Sequence, residues 1–102
     1  TPDGKWILAA NRPSDTISIF RIQKDGILER NAVENLSGKG PRDFHISRDG
    51  KIVVTALQRS DEISIHRFDG EQGMFREKAA ILKIPSPASV AVGQGRMENV
   101  SL

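Results

Sequence analysis

The sequence predicts an all-β protein made of antiparallel four-stranded units, the kind that form the blades of a β-propeller. The main observation behind this prediction is an internal repeat. At the offset of 46 residues that separates Asp3 from Asp49, Thr1–Ile22 lies over Ser47–Phe68, and ten of the 22 aligned pairs are identical. The identical residues of the first copy are Asp3, Gly4, Lys5, Ala10, Ser14, Asp15, Ile17, Ser18, Ile19 and Arg21. A period in the forties that holds short apolar runs is typical of propeller blades.

Residues 1–36 are predicted to supply strands two to four of one blade. Trp6–Ala10 is a short apolar run that follows an Asp-Gly turn signal, and Thr16–Ile22 alternates between apolar and polar residues. Both patterns are typical of strands with a buried face. Ile27–Leu36 is a weaker outer strand, since its charged residues suit an exposed edge.

Residues 42–84 are predicted to form one full blade, and residues 88–92 to form the first strand of the next or closing blade. The four strands of the full blade are predicted at Arg42–Ser47, Lys51–Leu57, Glu62–Phe68 and Met74–Ile84. Residues 93–102 have no counterpart in the repeat and are expected to be a loose tail. About two blades are therefore present. Two blades cannot close a ring, and their unpaired edges predict self-association.

Composition narrows the function. The 102 residues include no Cys, which excludes disulfides and thiolate chemistry, and only two His, which gives no metal motif. The net charge is +2 without a basic run or an aromatic platform, so a nucleic-acid partner is not expected. No apolar run reaches membrane length. We expect no membrane partner, no cofactor and no metal, and a cytoplasmic location.

The candidate site follows from the alternating direction of the strands. In such a meander, the loops between blades and the loops between strands two and three share one face. Arg12 and Arg42 are thereby predicted on one rim, where guanidinium groups suit an anionic ligand. The other polar residues predicted there are Asn11, Asp43 and Gln58.

Structural roles are the alternative for the same residues. The two arginines can instead pair with Asp15, Asp43 or Asp61 to tie the blades together. The Ser-Asp pairs at Ser14 and Ser60 are interpreted as turns that bond their own backbone. His45 in the innermost strand is either a general base that reaches the central channel or a residue hydrogen-bonded between blades. Trp6 is interpreted as packing between blades.

The sequence resembles the lactonase-type propeller family, which includes bacterial 6-phosphogluconolactonases and fungal carboxymuconate-lactonising enzymes. The matching segments are Pro2–Arg12, Ser14–Phe20, Gly40–Ile46 and Gly70–Gly73. The resemblance implies a seven-bladed propeller whose last two blades are seen here. It also implies hydrolysis of a sugar-acid lactone, 6-phosphogluconolactone of the pentose phosphate pathway, with a small anionic substrate.

Carried over by position, the resemblance implies that Arg42 stabilises the substrate or transition state and that Arg12 binds an anion. We also predict substrate contacts from Asn11, Asp43, Gln58 and His45, which lie near these arginines along the predicted strands and loops. Where the family has a candidate base and acid, this chain reads Pro-Arg-Asp and Leu-Gln. We therefore expect the chain alone to be inactive. Two alternatives stay open: a non-catalytic binding module for an anionic ligand or protein partner, and a two-blade unit that closes a ring by self-association.

Overall fold

A computed structural model describes residues 1–93, except for the side chains of residues 78 and 79, and it is all-β. The first sheet has the order β1–β2–β3 and the second the order β4–β5–β6–β7. Within each sheet, every strand pairs antiparallel with the next strand in sequence, as in a propeller blade. The predicted fold class is confirmed. The strands are β1 (Trp6–Asn11), β2 (Thr16–Ile22), β3 (Leu28–Asn35), β4 (Pro41–Ile46), β5 (Ile52–Leu57), β6 (Glu62–Asp69) and β7 (Met74–Lys83), with a 3-10 turn at Gln58–Ser60 between β5 and β6.

The repeat is visible in the hydrogen bonds of two turns. The carboxylates of Asp3 and Asp49 each accept a hydroxyl group at 2.6 Å and a backbone N–H at 3.0 Å. The hydroxyl donors are Thr1 and Ser47, and the N–H donors are Lys5 and Lys51. These bonds favour the ionised carboxylate, the hydroxyl bond most strongly, and lower the pKa of both aspartates. Both copies of the turn therefore fold in the same way.

The hydrophobic core lies between the two sheets. Side chains alternate across a strand, so the fully buried Ile17 and Ile19 of β2 face the second sheet. The remaining buried members of the core are Trp6, Leu36, Val53, Leu57 and Phe68. Burial of these side chains from both sheets is the main source of stability for the pair.

The Gly70–Gly73 loop of the second sheet is hydrogen-bonded to side chains of the first sheet. Trp6 is 1% exposed, and its indole N–H donates to the carbonyl oxygen of Gly70 at 2.8 Å. The side-chain amide of Asn31 donates to the last two carbonyl groups of the Gly70–Gly73 loop at 2.8 and 2.9 Å. Glu34 accepts the backbone N–H of Phe75 at 2.7 Å. Trp6 therefore packs between the sheets, as interpreted from the sequence.

Asp15 and Asp61 make a second, repeated link between units. Both have left-handed backbones, with φ of 57° and 53°. Their Oδ1 atoms accept the backbone N–H groups of Gly40 and Ser86, at 2.9 and 2.8 Å, each 25 residues further along the chain. The interpretation that the Ser-Asp turns bond their own backbone is wrong for the two aspartates, because their carboxylates accept N–H groups of Gly40 and Ser86, in the segments that follow each sheet.

Residues 88–92 belong to neither sheet, which differs from the predicted strand. The backbone N–H groups of Val90 and Val92 donate to side chains of β4, to Asp43 Oδ2 at 2.9 Å and to His45 Nδ1 at 3.2 Å. The segment lies beside β4, but no strand of the described chain pairs with it, so no sheet forms there. The predicted tail at 93–102 falls, beyond Gly93, outside the described residues.

Candidate functional site

A surface depression joins the two units at the predicted rim. It is lined by Arg12 and Pro13 from the turn after β1, Asp15, Gly40 before β4, and Gln58 and Arg59 after β5. Arg12 and Gln58 are thus brought together, although 46 positions separate them in the sequence. The repeat explains the meeting, since the two residues occupy equivalent turns of adjacent units.

Gly40 is fixed from three directions in this depression. Its N–H donates to Asp15, and its carbonyl oxygen accepts the N–H of Gln58 at 2.9 Å. Its φ of 73° lies in the region that favours glycine. A Cβ atom added there would lie 2.7 Å from the side chain of Arg59. The backbone two residues ahead of Arg42 is therefore held firmly.

Arg42 is the extra residue of a β-bulge. The register of β4 against β5 passes from Pro41 opposite Leu57 directly to Asp43 opposite Ala56, which leaves Arg42 without a partner residue. A bulge changes the direction of a side chain and is common beside functional sites. The Arg42 side chain is exposed. This bulge gives no sequence signal, because it is defined by the pairing of β4 with β5 and not by the residues of β4 alone.

Neither Arg12 nor Arg42 has a carboxylate within ion-pair distance in residues 1–93. The aspartates proposed as their structural partners accept backbone N–H groups instead: Asp15 from Gly40, Asp43 from Val90, and Asp61 from Ser86. Both arginines are exposed. In the described part of the chain, the two guanidinium groups are therefore available to an anion from solution.

Two of the predicted site residues contact the segment after the second sheet. Asp43 and His45 bind the N–H groups of Val90 and Val92 through their side chains. Because Nδ1 of His45 accepts a hydrogen bond, the neutral ring carries its proton on Nε2. In this tautomer Nδ1 is engaged by Val92, and Nε2 is a donor. The geometry agrees with the interpretation of His45 as a residue hydrogen-bonded between units.

Asn11 lies at the end of β1, and its amide nitrogen is engaged within the first sheet. It donates to Thr16 Oγ1 at 3.0 Å and to Ser18 Oγ at 2.8 Å. Only its carbonyl oxygen is left for a ligand. Asp15 and Gly40 line the depression but are not among the site residues predicted from the sequence. The equivalence of Asp15 and Asp61 in the repeat is the signal available for Asp15.

The described residues contain neither a cluster of metal-binding side chains nor a helix that could span a membrane. Within the described residues, no three His, Cys, Asp or Glu side chains come together as a metal site. In the same part of the chain, no helix is long and apolar enough to cross a membrane. The depression presents the guanidinium groups of Arg12 and Arg59, the amide of Gln58 and the carboxylate of Asp15.

The family model described as lactonase, 7-bladed β-propeller, matches residues 1–92. The chain belongs to this lactonase family. Its fold resembles the periplasmic gluconolactonase of Pseudomonas aeruginosa, with a TM-score of 0.82 and 24% identity over 86% of this chain and 25% of that one. It also resembles a candidate 6-phosphogluconolactonase from Bacteroides uniformis, with a TM-score of 0.80 and 29% identity over 85% of this chain and 26% of that one.

A third similar structure is a protein from Lactobacillus plantarum, with a TM-score of 0.79 and 24% identity over 85% of this chain and 26% of that one. The chain spans about a quarter of the length of these structures. The expected cytoplasmic location needs correction, because the Pseudomonas protein with this fold is periplasmic. Membership of the family therefore does not assign a protein to the cytoplasm.

Proposed function

We propose that this chain contributes two blades to a hydrolase of sugar-acid lactones, with 6-phosphogluconolactone as its substrate. The family match and the two gluconolactonase-type structures support the lactone chemistry. The observation that carries the proposal is the pair of exposed arginines, Arg12 and Arg42, near one tightly held glycine turn. A phosphorylated sugar acid is the kind of anion that two such groups bind.

Lactone hydrolysis requires stabilisation of negative charge at one point. Water adds to the ester carbonyl carbon, and the carbonyl electron pair moves to oxygen to give an oxyanion. The ring C–O bond then breaks, which yields a carboxylate and a hydroxyl group. In this proposal the guanidinium of Arg42 holds the developing oxyanion, because charge that forms in the transition state is where fixed donors give the largest rate gain.

Arg12 and Gln58 bind the rest of the substrate. The guanidinium fork of Arg12 matches the geometry of a phosphate through two parallel hydrogen bonds. The amide of Gln58, in the same depression, offers a donor and an acceptor to sugar hydroxyl groups. The binding of charged and hydroxyl groups is thereby separated from the reacting carbonyl.

The base that activates water has to come from elsewhere in the ring. His45 uses Nδ1 to accept the N–H of Val92, so it is poorly suited to take a proton. The chain spans a quarter of the similar structures, which leaves most of a channel to other blades. We therefore expect residues 1–102 alone to bind anions weakly and to hydrolyse no lactone.

A non-catalytic binding module is the second candidate. The engagement of His45 by Val92 favours it, since the same rim could hold an anionic ligand or an acidic protein segment without a base. In that case Arg42→Ala in the intact protein weakens binding of 6-phosphogluconate, and no variant changes the rate of lactone opening above the spontaneous rate.

The test uses the intact protein that contains this sequence. Acid release from 6-phosphogluconolactone and from unphosphorylated gluconolactone is followed, with the spontaneous rate subtracted. Arg42→Ala is expected to lower kcat by about 100-fold or more, the usual effect of removing one oxyanion donor. Arg12→Ala is expected to raise KM for the phosphorylated lactone and to leave KM for the other unchanged.

The matched control is Arg30→Ala, which removes an exposed arginine from the outer strand β3. It should leave both kinetic constants unchanged. Equal activity of wild type and Arg42→Ala would overturn the role of Arg42. A shared loss in all three variants would indicate a general effect of charge and not a site.

A further inference from the structure

The rim depression between the two sheets contains an arginine that the proposed function does not use. Arg59 lies in the 3-10 turn after β5 and lines the depression together with Arg12. Arg12 and Gln58 occupy equivalent positions of the repeat, whereas Arg59 occupies the position of Pro13. The second unit therefore adds a positive charge to the depression at a repeat position where the first unit has none.

The backbone of the Arg59 turn is fixed against the loop that leads into β4. The N–H of Arg59 donates to the carbonyl oxygen of Lys39 at 3.1 Å, and the N–H of Gln58 donates to that of Gly40 at 2.9 Å. The hydroxyl oxygen of Ser60 accepts the N–H of Lys39 at 2.6 Å. All three residues of the turn are thus hydrogen-bonded to this loop, which holds the Cα atom of Arg59 in place.

The aliphatic stem of Arg59 lies on Gly40. A Cβ atom added to Gly40 would lie 2.7 Å from Cγ and 3.0 Å from Cδ of Arg59. The absence of a side chain at Gly40 therefore leaves the space that this stem occupies, and the contact restricts the rotamers of the arginine. A side chain whose stem is already ordered loses less conformational entropy when its guanidinium group binds a ligand.

The guanidinium group of Arg59 has no carboxylate within ion-pair distance in residues 1–93. Asp15, which also lines the depression, directs Oδ1 to the N–H of Gly40 at 2.9 Å. Glu62, at the start of β6, pairs with Lys83 at 3.4 Å. Two guanidinium groups and one carboxylate line the depression, so its net charge is positive.

We propose that Arg59 determines specificity by binding, together with Arg12, the phosphate group of a phosphorylated sugar acid. This inference rests on the proposed function and adds a second cation to its phosphate site. A phosphate monoester carries a charge of about −1.5 to −2 at neutral pH and presents three acceptor oxygen atoms. One guanidinium fork binds two of these oxygens, so a second arginine can bind the third and balance the remaining charge. The depression has a volume of about 400 Å³, which is in the range of small-molecule sites.

The phosphate group and the reacting carbonyl group contact different arginines in this arrangement. Arg42 is not among the residues that line the depression. Arg59 therefore contributes the same interaction to the bound substrate and to the transition state. Removal of such an interaction raises KM and leaves kcat unchanged. This pattern separates the role of Arg59 from that of Arg42, whose removal is expected to lower kcat.

The first experiment measures the binding of 6-phosphogluconate, gluconate and inorganic phosphate to the intact protein by isothermal titration calorimetry. Arg59→Ala should weaken the binding of 6-phosphogluconate by about 10-fold or more, the usual effect of losing a charged hydrogen bond. It should leave the binding of gluconate unchanged. Arg59→Lys keeps the charge without the guanidinium fork, so its affinity should lie between those of wild type and Arg59→Ala. Inorganic phosphate should bind more weakly than 6-phosphogluconate, because it has no sugar hydroxyl groups for Gln58.

The matched control is Lys39→Ala. It removes an exposed positive charge from the neighbouring loop, and this side chain does not line the depression. The backbone groups of residue 39 that bind the 3-10 turn are kept. The variant should therefore bind all three ligands like the wild type. Far-UV circular dichroism checks that each variant keeps its strands.

The second experiment measures lactone hydrolysis by the same variants. Arg59→Ala should raise KM for 6-phosphogluconolactone and leave both its kcat and the KM for unphosphorylated gluconolactone unchanged. Equal binding of 6-phosphogluconate by wild type and Arg59→Ala, or an equal loss in Lys39→Ala, would overturn the role of Arg59, whether or not lactones are hydrolysed. Inorganic phosphate bound as tightly as 6-phosphogluconate would overturn the assignment to a sugar phosphate. A wild type that opens no lactone but loses 6-phosphogluconate selectively in Arg59→Ala would overturn the proposed function and support the phosphate site.

Discussion

Substitution of Gly73 by alanine tests the packing of the Gly70–Gly73 loop against Trp6. The φ of Gly73 is 67°, and a Cβ atom added there would clash with the indole ring of Trp6. The ring cannot move easily, since it is 1% exposed and its N–H is bonded to Gly70. Alanine at this position must therefore displace either the loop or the tryptophan.

The cost has two parts. Alanine in the left-handed region costs about 1–2 kcal/mol. Overpacking of a filled core costs about a further 1–3 kcal/mol. We expect a loss of about 2–5 kcal/mol, a large part of the about 5–15 kcal/mol that stabilises an ordinary domain. Gly70→Ala is the control, because a Cβ atom there meets nothing within 4 Å.

The assay is urea unfolding followed by tryptophan fluorescence. Trp6 is the single tryptophan of the sequence, so the fluorescence reports directly on the contact between Trp6 and this loop. With a urea m-value of about 2 kcal/mol per M, the midpoint should fall by about 1–2.5 M in Gly73→Ala. Equal midpoints for Gly73→Ala and Gly70→Ala would refute the reasoning, since they would show that the ring does not limit space at residue 73.

Two further predictions concern aspartates of the repeat. The folded pKa values of Asp3 and Asp49 lie below the unfolded value of 3.8. Their turns thus contribute stability that is complete above that value and is lost as the pH falls through the folded pKa. Thermal unfolding between neutral and strongly acidic pH should show this loss, and Asp49→Asn should reduce it. Asp61→Ala should cost about 1–3 kcal/mol in urea unfolding, because it leaves the N–H of Ser86 without its acceptor and puts alanine in a left-handed backbone. Asp61→Asn keeps an acceptor and tolerates that backbone, so a loss as large as that of alanine would count against the hydrogen bond.

The strands were predictable because each carries a local signal. The Asp-Gly turns and the alternation of β2 depend on neighbouring residues, and Thr16–Ile22 has the predicted bounds. The repeat then transferred these signals to the second unit. It could not supply the strand expected at 88–92, because a strand is defined by its partner, and no partner strand is present in the described residues.

Contacts between distant residues were not predictable in the same way. Asp15 and Gly40 are 25 residues apart, and the sequence of neither turn indicates that the two residues are hydrogen-bonded. The bulge at Arg42 arises from the fit of β4 against β5, which periodicity does not record. The sequence could therefore predict that the two arginines share one rim but could not say whether carboxylates neutralise them.

The positive charge of Arg12 and Arg42 is not cancelled, because the nearby aspartates bind backbone N–H groups and not the arginines. An aspartate beside an arginine ordinarily lowers the attraction of that arginine for a second anion, since the two charges largely cancel. Here the carboxylates of Asp15 and Asp43 accept backbone N–H groups that join one unit to the next segment of chain. The bonds that hold the units together thus direct these carboxylates to the backbone. As a result, Arg12 and Arg42 remain exposed and without a carboxylate partner in residues 1–93, which is the condition that anion binding at this rim requires.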